Sequence, residues 1–223
     1  MEDNQSIKMP GILITFEGID LCGKSAQMER LVDRLKTHHF PHLLLREPGG
    51  TIFSEKIRDI LLTKEKEDMC AATEYLLFSA ARAQMTRQKI IPALADGFIV
   101  VCDRYFDSST AYQGYGRGID LSLIERINHF ASSGIKPDVT FLLDIDLEEM
   151  EKRKSQMSKK TDRMEDQAKD FFLKVRKGYL SLANQNQERF ILIDGKKTII
   201  SIAEQVWKKV ERVIAQKYQA HNQ

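Results

Sequence analysis

The sequence predicts an α/β fold, a five-stranded parallel sheet flanked by helices, and three observations carry that reading. Five short apolar runs, Ile12–Phe16, Leu43–Leu45, Phe98–Cys102, Val139–Leu143 and Phe190–Ile193, are spaced along the 223 residues. Helical patterns fill the intervals between them. A glycine-rich turn joins the first run to the first helical pattern. Alternation of strand and helix builds a parallel sheet with helices on its faces.

The apolar runs are rich in β-branched or large side chains and show little alternation, as expected of strands buried on both faces. The helical patterns cover Met28–Leu35, Ser54–Leu62, Thr73–Leu94, Leu121–Ser132, Asp166–Asn184 and Ile199–Tyr218. A chain of 223 residues buries one sizeable core and leaves too little for a second. Residues 11–218 therefore read as one domain, with flexible tails at 1–10 and 219–223. The most polar stretch, Glu148–Arg163, reads as a solvated helix or loop.

Composition excludes several classes. Basic residues number 34 and acidic residues 32, a net charge of +2, so no overall field directs the chain to nucleic acid or membrane. Any phosphate binding must be local. Cys22, Cys70 and Cys102 are scattered and odd in number, which argues against a disulfide framework or a zinc site and for a reducing compartment. The first ten residues are polar, and no apolar run reaches the ~18 residues of a membrane span. The expectation is a soluble, cytoplasmic protein.

The turn after the first run is Gly18-Ile19-Asp20-Leu21-Cys22-Gly23-Lys24-Ser25, which fits GxxxxGK[ST] at every fixed position. Glycines at both ends let successive backbone N–H groups curl inward onto phosphate oxygens, and the following helix adds its positive end. Residues 18–26, through Ala26, are thus expected to cradle the phosphates of ATP. Lys24 should reach the β- and γ-phosphates, and the Ser25 hydroxyl should complete the shell of a Mg²⁺ ion. The context indicates a P-loop NTPase fold. The run Phe98–Cys102 ends in Asp103, an acid placed to hold a metal-bound water or to position a basic neighbour. Cys22, a thiol at a helix N-terminus, reads as a site of oxidation or alkylation.

Further motifs narrow the reading. Phe16-Glu17-Gly18-Ile19-Asp20 resembles an FEGxD opening, and Arg46-Glu47-Pro48-Gly49-Gly50-Thr51 matches REPGGT. Leu77 to Gln84 resembles LLFxAxRxQ. Asp103-Arg104-Tyr105, Ser108-Ser109 and Ala111-Tyr112-Gln113-Gly114 resemble a DRY…SS.AYQG segment, and Asp162-Arg163-Met164-Glu165 resembles DRxE. Together these resemble the thymidylate kinase family, in its bacterial form, from about Gly11 to Trp207.

That resemblance implies transfer of the γ-phosphate of ATP to dTMP, a homodimer, and a lid at about residues 148–165. A thymine ring needs an apolar platform and directional partners at its edge. Phe78 can be the platform, and Arg82, one helical turn on, can donate to O4. The resemblance adds Ser108, Ser109 and Gln113 at the pyrimidine edge and Tyr112 beneath the sugar. Arg104 and Arg58 suit the monophosphate, because planar guanidinium forks match phosphate oxygens. Glu47 and Asp20 are the acids expected near the acceptor, Asp20 at the sugar 3′-hydroxyl or the metal shell. The resemblance also implies an arginine on the transferred phosphate, from either the cradle or the lid; Leu21 is neutral at the variable cradle position, so the lid is expected to supply it. Arg153 and Arg163 are the candidates ahead of Lys159 and Lys160.

Two rivals stand beside this. One is a kinase for another pyrimidine nucleotide or a deoxynucleoside; a deoxynucleoside kinase would share the cradle but need a base near a neutral hydroxyl, and the REPGGT stretch and the Phe78/Arg82 helix favour a monophosphate acceptor. A non-catalytic nucleotide-binding scaffold should have lost Lys24, Ser25 or Arg104, and all three are present.

Overall fold

The computed structural model describes residues 10–65, 67–156 and 162–221. The expected N-terminal tail up to residue 9, the last two residues, and Lys159 and Lys160 lie outside the described residues. The elements alternate as expected: β1 (Ile12–Glu17), α1 (Lys24–Thr37), β2 (His42–Arg46), α2 (Ile52–Leu62) and α3 (Ala71–Met85). Next come α4 (Ile91–Ala95), β3 (Ile99–Asp103), α5 (Phe106–Ser109), α6 (Leu121–Ala131) and β4 (Val139–Asp144). The chain continues through α7 (Leu147–Ser155), α8 (Lys169–Gln185), β5 (Phe190–Asp194) and α9 (Ile199–His221).

All five strands are parallel, in the order β2-β3-β1-β4-β5. The central strand β1 is buried along its whole length and divides two cores. Ile12, Ile14 and Phe16 face α1, α8 and α9. Leu13 faces the other way, toward Leu45, Met85, Val100 and Tyr105. Thr15 and Glu17 share the face of Leu13 by the two-residue period of a strand. Thr15 is matched there by Thr140 of β4, hydroxyl to hydroxyl at 2.8 Å.

Not every strand is buried on both faces as the sequence implied. β2 and β5 are the sheet edges, and Leu44 and Leu192 are exposed. The expected helix over Thr73–Leu94 is interrupted by a π-turn at Thr86–Ile90. Pro92 follows immediately in α4, and a residue without an N–H cannot give the bond that would keep the turn ahead of it tight. A second π-turn, Thr110–Gly116, carries the Ala111-Tyr112-Gln113-Gly114 motif. The polar stretch is helical at its start: Asp146 caps α7 by accepting from the Glu149 N–H at 2.9 Å.

Leu35 of α1 is fully buried in the larger core. Leu35→Ala should lower stability by about 2–5 kcal/mol, read as a lower urea midpoint at unchanged slope; a midpoint within experimental scatter of wild type would contradict this packing.

Candidate active site

The loop between β1 and α1 is shaped by its glycines. Gly18 has φ +138°, and a Cβ there would stand 2.4 Å from the carbonyl oxygen of Leu143. Gly23 (φ 101°) and Leu21 (φ 64°) also have left-handed backbones. Lys24 folds back over the loop, its Nζ donating to the carbonyls of Gly18 at 3.2 Å and Ile19 at 3.3 Å. Cys22 departs from expectation: its thiol is buried among the larger core's side chains, out of reach of a reagent in solvent.

A cavity of about 560 Å³ opens in front of this loop. Asp20, Leu21, Gly23, Lys24, Ser25 and Ala26 form one wall. Glu47, Arg58, Phe78, Arg82, Asp103, Arg104, Ser108, Ser109, Tyr112, Gln113 and Arg153 complete it. Gly18, Ile19 and Cys22 shape the loop from behind, and Arg163 lines a different depression beside α2.

Arg104 follows β3 in a left-handed conformation (φ 66°), with its N–H held by the Phe16 carbonyl at 3.0 Å. Its Nη2 donates to Asp20 at 2.6 Å and to Tyr112 at 3.2 Å, and its plane lies 5.0 Å from the Tyr112 ring centroid. Burial opposes its charge, but Tyr112, Tyr179 and Asp20 outweigh burial and hold its pKa well above the usual value. Arg58 lines the cavity with Nη1 on the Pro48 carbonyl at 2.9 Å. Burial and then the like charge of Arg46 lower its pKa, opposed by Glu55, Asp162 and Asp103.

Arg82 is not a surface side chain but fully buried. Its Nε and Nη2 grip the Glu47 carboxylate at 2.8–3.0 Å, Nη2 also donates to Ser109 at 2.9 Å, and Nη1 donates to Asn128 at 2.9 Å. Glu47, expected near the acceptor, is thus the counter-ion of Arg82; burial raises its pKa and Arg82 opposes that. Gln113 Nε2 donates to Glu74 at 2.9 Å, and Glu74 also accepts from Arg117 and from Arg163 Nη1 at 2.7 Å. Arg163 is therefore committed away from the cavity. Arg153 lies on the cradle instead, donating from Nη1 to the Leu21 carbonyl at 3.0 Å and from Nη2 to Gly195 at 2.8 Å.

Asp103 ends β3 with Oδ1 buried and without a hydrogen-bond partner among the described residues, an acceptor open to a cation or its water. Ser25 is exposed and lines the same cavity. No cluster of three or more metal-ligating side chains occurs among the described residues. That pattern suits an ion held mostly by water and substrate oxygens.

Three residues escaped the sequence reading. Asn128 locks Arg82, and Tyr179 of α8 reaches the back of Arg104 at 3.1 Å. Glu17 accepts from the Tyr105 N–H at 2.8 Å, from Ser108 at 2.6 Å and from Tyr179 at 2.8 Å. Burial, reinforced by Asp107 and opposed by Arg104, pushes its pKa up to about 7. A carboxylate closing an apolar strand was a visible signal for Glu17. Nothing in helical spacing marked the other two.

A family model described as Thymidylate kinase matches residues 16–206. A curated thymidylate kinase from Caldanaerobacter subterraneus subsp. tengcongensis is 45% identical over 206 residues, 92% of this chain and 98% of that protein. One from Chlorobaculum parvum is 46% identical over 191 residues, 82% of this chain and 88% of its own. The crystal structure of thymidylate kinase from Ehrlichia chaffeensis superposes with a TM-score of 0.74 at 33% identity, covering 91% of this chain and 99% of that one.

A carboxyl group whose folded pKa of about 7 exceeds its ordinary value of 4.5 binds its proton more tightly when folded. Its share of stability is complete below about pH 4.5 and is lost as pH rises to about 7. Urea titrations should show Glu17→Gln flattening this falling limb; an identical limb in wild type and variant would refute the assignment.

Proposed function

The chain belongs to the thymidylate kinase family, and from that premise we propose how its cavity carries out the family's reaction. The protein is a nucleoside monophosphate kinase that transfers the γ-phosphoryl group of ATP to dTMP, giving dTDP and ADP. The observation that carries the assignment of roles is one cavity joining the phosphate cradle to Phe78, Arg82 and Arg104.

In this reading, residues 11–218 act as a single kinase domain, and residues 18–26 hold the phosphates of ATP, with Lys24 swinging from its loop carbonyls onto the β- and γ-oxygens. Ser25 and Asp103 hold Mg²⁺, directly or through water; the buried, unpartnered Oδ1 of Asp103 supports this. Held there, the ion would supply positive charge to offset that of the phosphates. Phe78 packs on the thymine ring, with Arg82, Gln113 and Ser109 at its edge and Ser108 just behind. Tyr112 lies under the sugar, where its ring crowds a ribose 2′-hydroxyl, and Asp20 reaches the 3′-hydroxyl. Arg104 and Arg58 bind the monophosphate.

A phosphate oxygen of dTMP attacks the γ-phosphorus in line as its bond to the β–γ bridging oxygen breaks, and that oxygen leaves on ADP. The attacking oxygen is already anionic, so no strong base is needed, and no covalent enzyme intermediate forms. Positioning and charge stabilisation do the catalysis. Of the two candidate arginines, Arg153 is the one read as contacting the transferred phosphate, because it lies on the cradle while Arg163 is bound to Glu74. The stretch 148–165 is read as the lid over ATP; residues 157–161 of it lie outside the described residues, and Gln156, Asp162, Met164 and Glu165 on either side line the cavity.

A homodimer fits the outer face of the molecule. Ile52, Phe53 and Ile60 of α2, Leu76 of α3 and Phe130 of α6 are all exposed, and α3 packs against both other helices. No helix among the described residues is long and apolar enough to cross a membrane. With a net charge of +2, a cytoplasmic enzyme with no nucleic-acid or membrane partner is the simplest reading.

ADP release should be followed with ATP, Mg²⁺ and, separately, dTMP, dUMP, dCMP, UMP and thymidine. Strong turnover with dTMP, weak with dUMP and none with thymidine is expected; turnover with thymidine and not dTMP would move the protein to the nucleoside kinases. Arg153→Ala should lower kcat by about 10³-fold with little change in the dTMP KM. The reverse ranking of Arg153→Ala and Arg163→Ala would exchange their roles.

A further inference from the structure

Arg104 is braced from behind as well as from the cavity. Its Nη1 donates to Ser108 Oγ at 3.3 Å and to Tyr179 Oη at 3.1 Å, and these two hydroxyls lie 2.8 Å apart. Both hydroxyls turn to one further atom, Oε2 of Glu17, at 2.6 and 2.8 Å. The other oxygen, Oε1, accepts from the N–H of Tyr105, the residue next to Arg104, at 2.8 Å. Glu17 is fully buried at the end of β1, behind the cavity wall.

We propose that Glu17 is a positioning residue for Arg104, acting through the hydroxyls of Ser108 and Tyr179; this rests on the reading of Arg104 as the group that binds the dTMP phosphate. Each hydroxyl has one proton to give and lone pairs to receive. An ionised Glu17 draws both protons toward Oε2, which leaves lone pairs facing Nη1. The guanidinium is then fixed in place and in rotation, with Asp20 and Tyr112 holding Nη2 on its other side.

A neutral Glu17 would break this order. Oε1 is taken by a backbone donor, so the proton lies on Oε2 and must be given to one of the two hydroxyls. That hydroxyl then gives its own proton to its neighbour 2.8 Å away and, no longer polarised by a carboxylate, accepts from Arg104 more weakly. The other charged and titratable groups facing Glu17 are Cys102 of β3, Asp107 of α5, and Arg189 ahead of β5. Asp107 is bound by Arg189 at 2.7 Å, and Asp20 and Tyr112 reach Arg104 only from the cavity side. None of them strengthens the weakened contact, although Nη1 keeps the Gly18 carbonyl at 2.9 Å. Because Nη2 keeps its anchors, the effect on phosphate binding is partial.

The test measures dTMP affinity by calorimetry, with KM and kcat, for Tyr179→Phe, Glu17→Gln and Arg104→Lys in the full chain. Tyr179→Phe should raise the Kd and KM for dTMP about tenfold, with kcat within about threefold and the ATP KM unchanged. Glu17→Gln should do the same at pH 8. It should also lack the extra weakening that wild type shows toward pH 6, beyond the titration of the substrate phosphate near pH 6 that both proteins share. Arg104→Lys should lose dTMP affinity by about a hundredfold or more. If Arg104→Lys binds dTMP like wild type, the phosphate-clamp reading falls and the proposal with it. If Arg104→Lys fails while Tyr179→Phe binds normally, the positioning role alone is overturned. A Tyr179→Phe enzyme equally impaired in kcat and both KM values would also overturn it. Should Glu17→Gln not fold, Tyr179→Phe decides.

Discussion

The parallel pairing of β1 with β3 is the constraint on which the site depends. Parallel strands carry their carboxyl ends to one edge of the sheet, and the register matches Phe16 with Asp103. The phosphate cradle leaves β1 just where Asp103 and Arg104 leave β3. A backbone bond from Arg104 to the Phe16 carbonyl fixes that meeting at 3.0 Å. The final residues of all five strands, Glu17, Arg46, Asp103, Asp144 and Asp194, are charged, so this edge of a mostly apolar sheet is where its polar chemistry collects.

Behind that edge the protein buries charge. Arg82 with Glu47 and Arg189 with Asp107 are ion pairs shut away from water, and Glu74 holds two arginines and a glutamine. Such pairs seldom add much net stability, because desolvation offsets their attraction. Their effect here is geometric. Arg82 has five N–H groups in a rigid plane, and Glu47, Ser109 and Asn128 together allow it one orientation beside Phe78.

Much of this was legible in the chain. The strands are short apolar runs bounded by breakers, and the cradle has fixed spacing and a required context, so all five strands and the loop at Gly18–Lys24 could be read from local chemistry. The limits are equally physical. Spacing marked Arg82 and Phe78 as neighbours, but burial is a property of the packed molecule, so Arg82 could not be known to be buried. The π-turns arise where Pro92 and the Ser-Ser-Thr-Ala segment meet tertiary packing, beyond any periodic pattern. Asn128 and Tyr179 lie in ordinary amphipathic helices, and only folding brings them to Arg82 and Arg104, which stand 46 and 75 positions away along the chain.

The shared carboxylate of Glu74 has a consequence for the acceptor as a whole. It joins Gln113, read at the base edge, to Arg163, which anchors the far end of the segment following α7. A nucleobase seated against Gln113 and the placement of Arg163 therefore bear on one another through a single anion, and such linkage is reciprocal. Binding energy gathered at a pyrimidine remote from the reacting phosphorus can then be spent on closing the chamber around it. On that reading an acceptor stripped of its base should lose speed as well as affinity, which would favour committing ATP to a complete nucleotide over a stray phosphate or water.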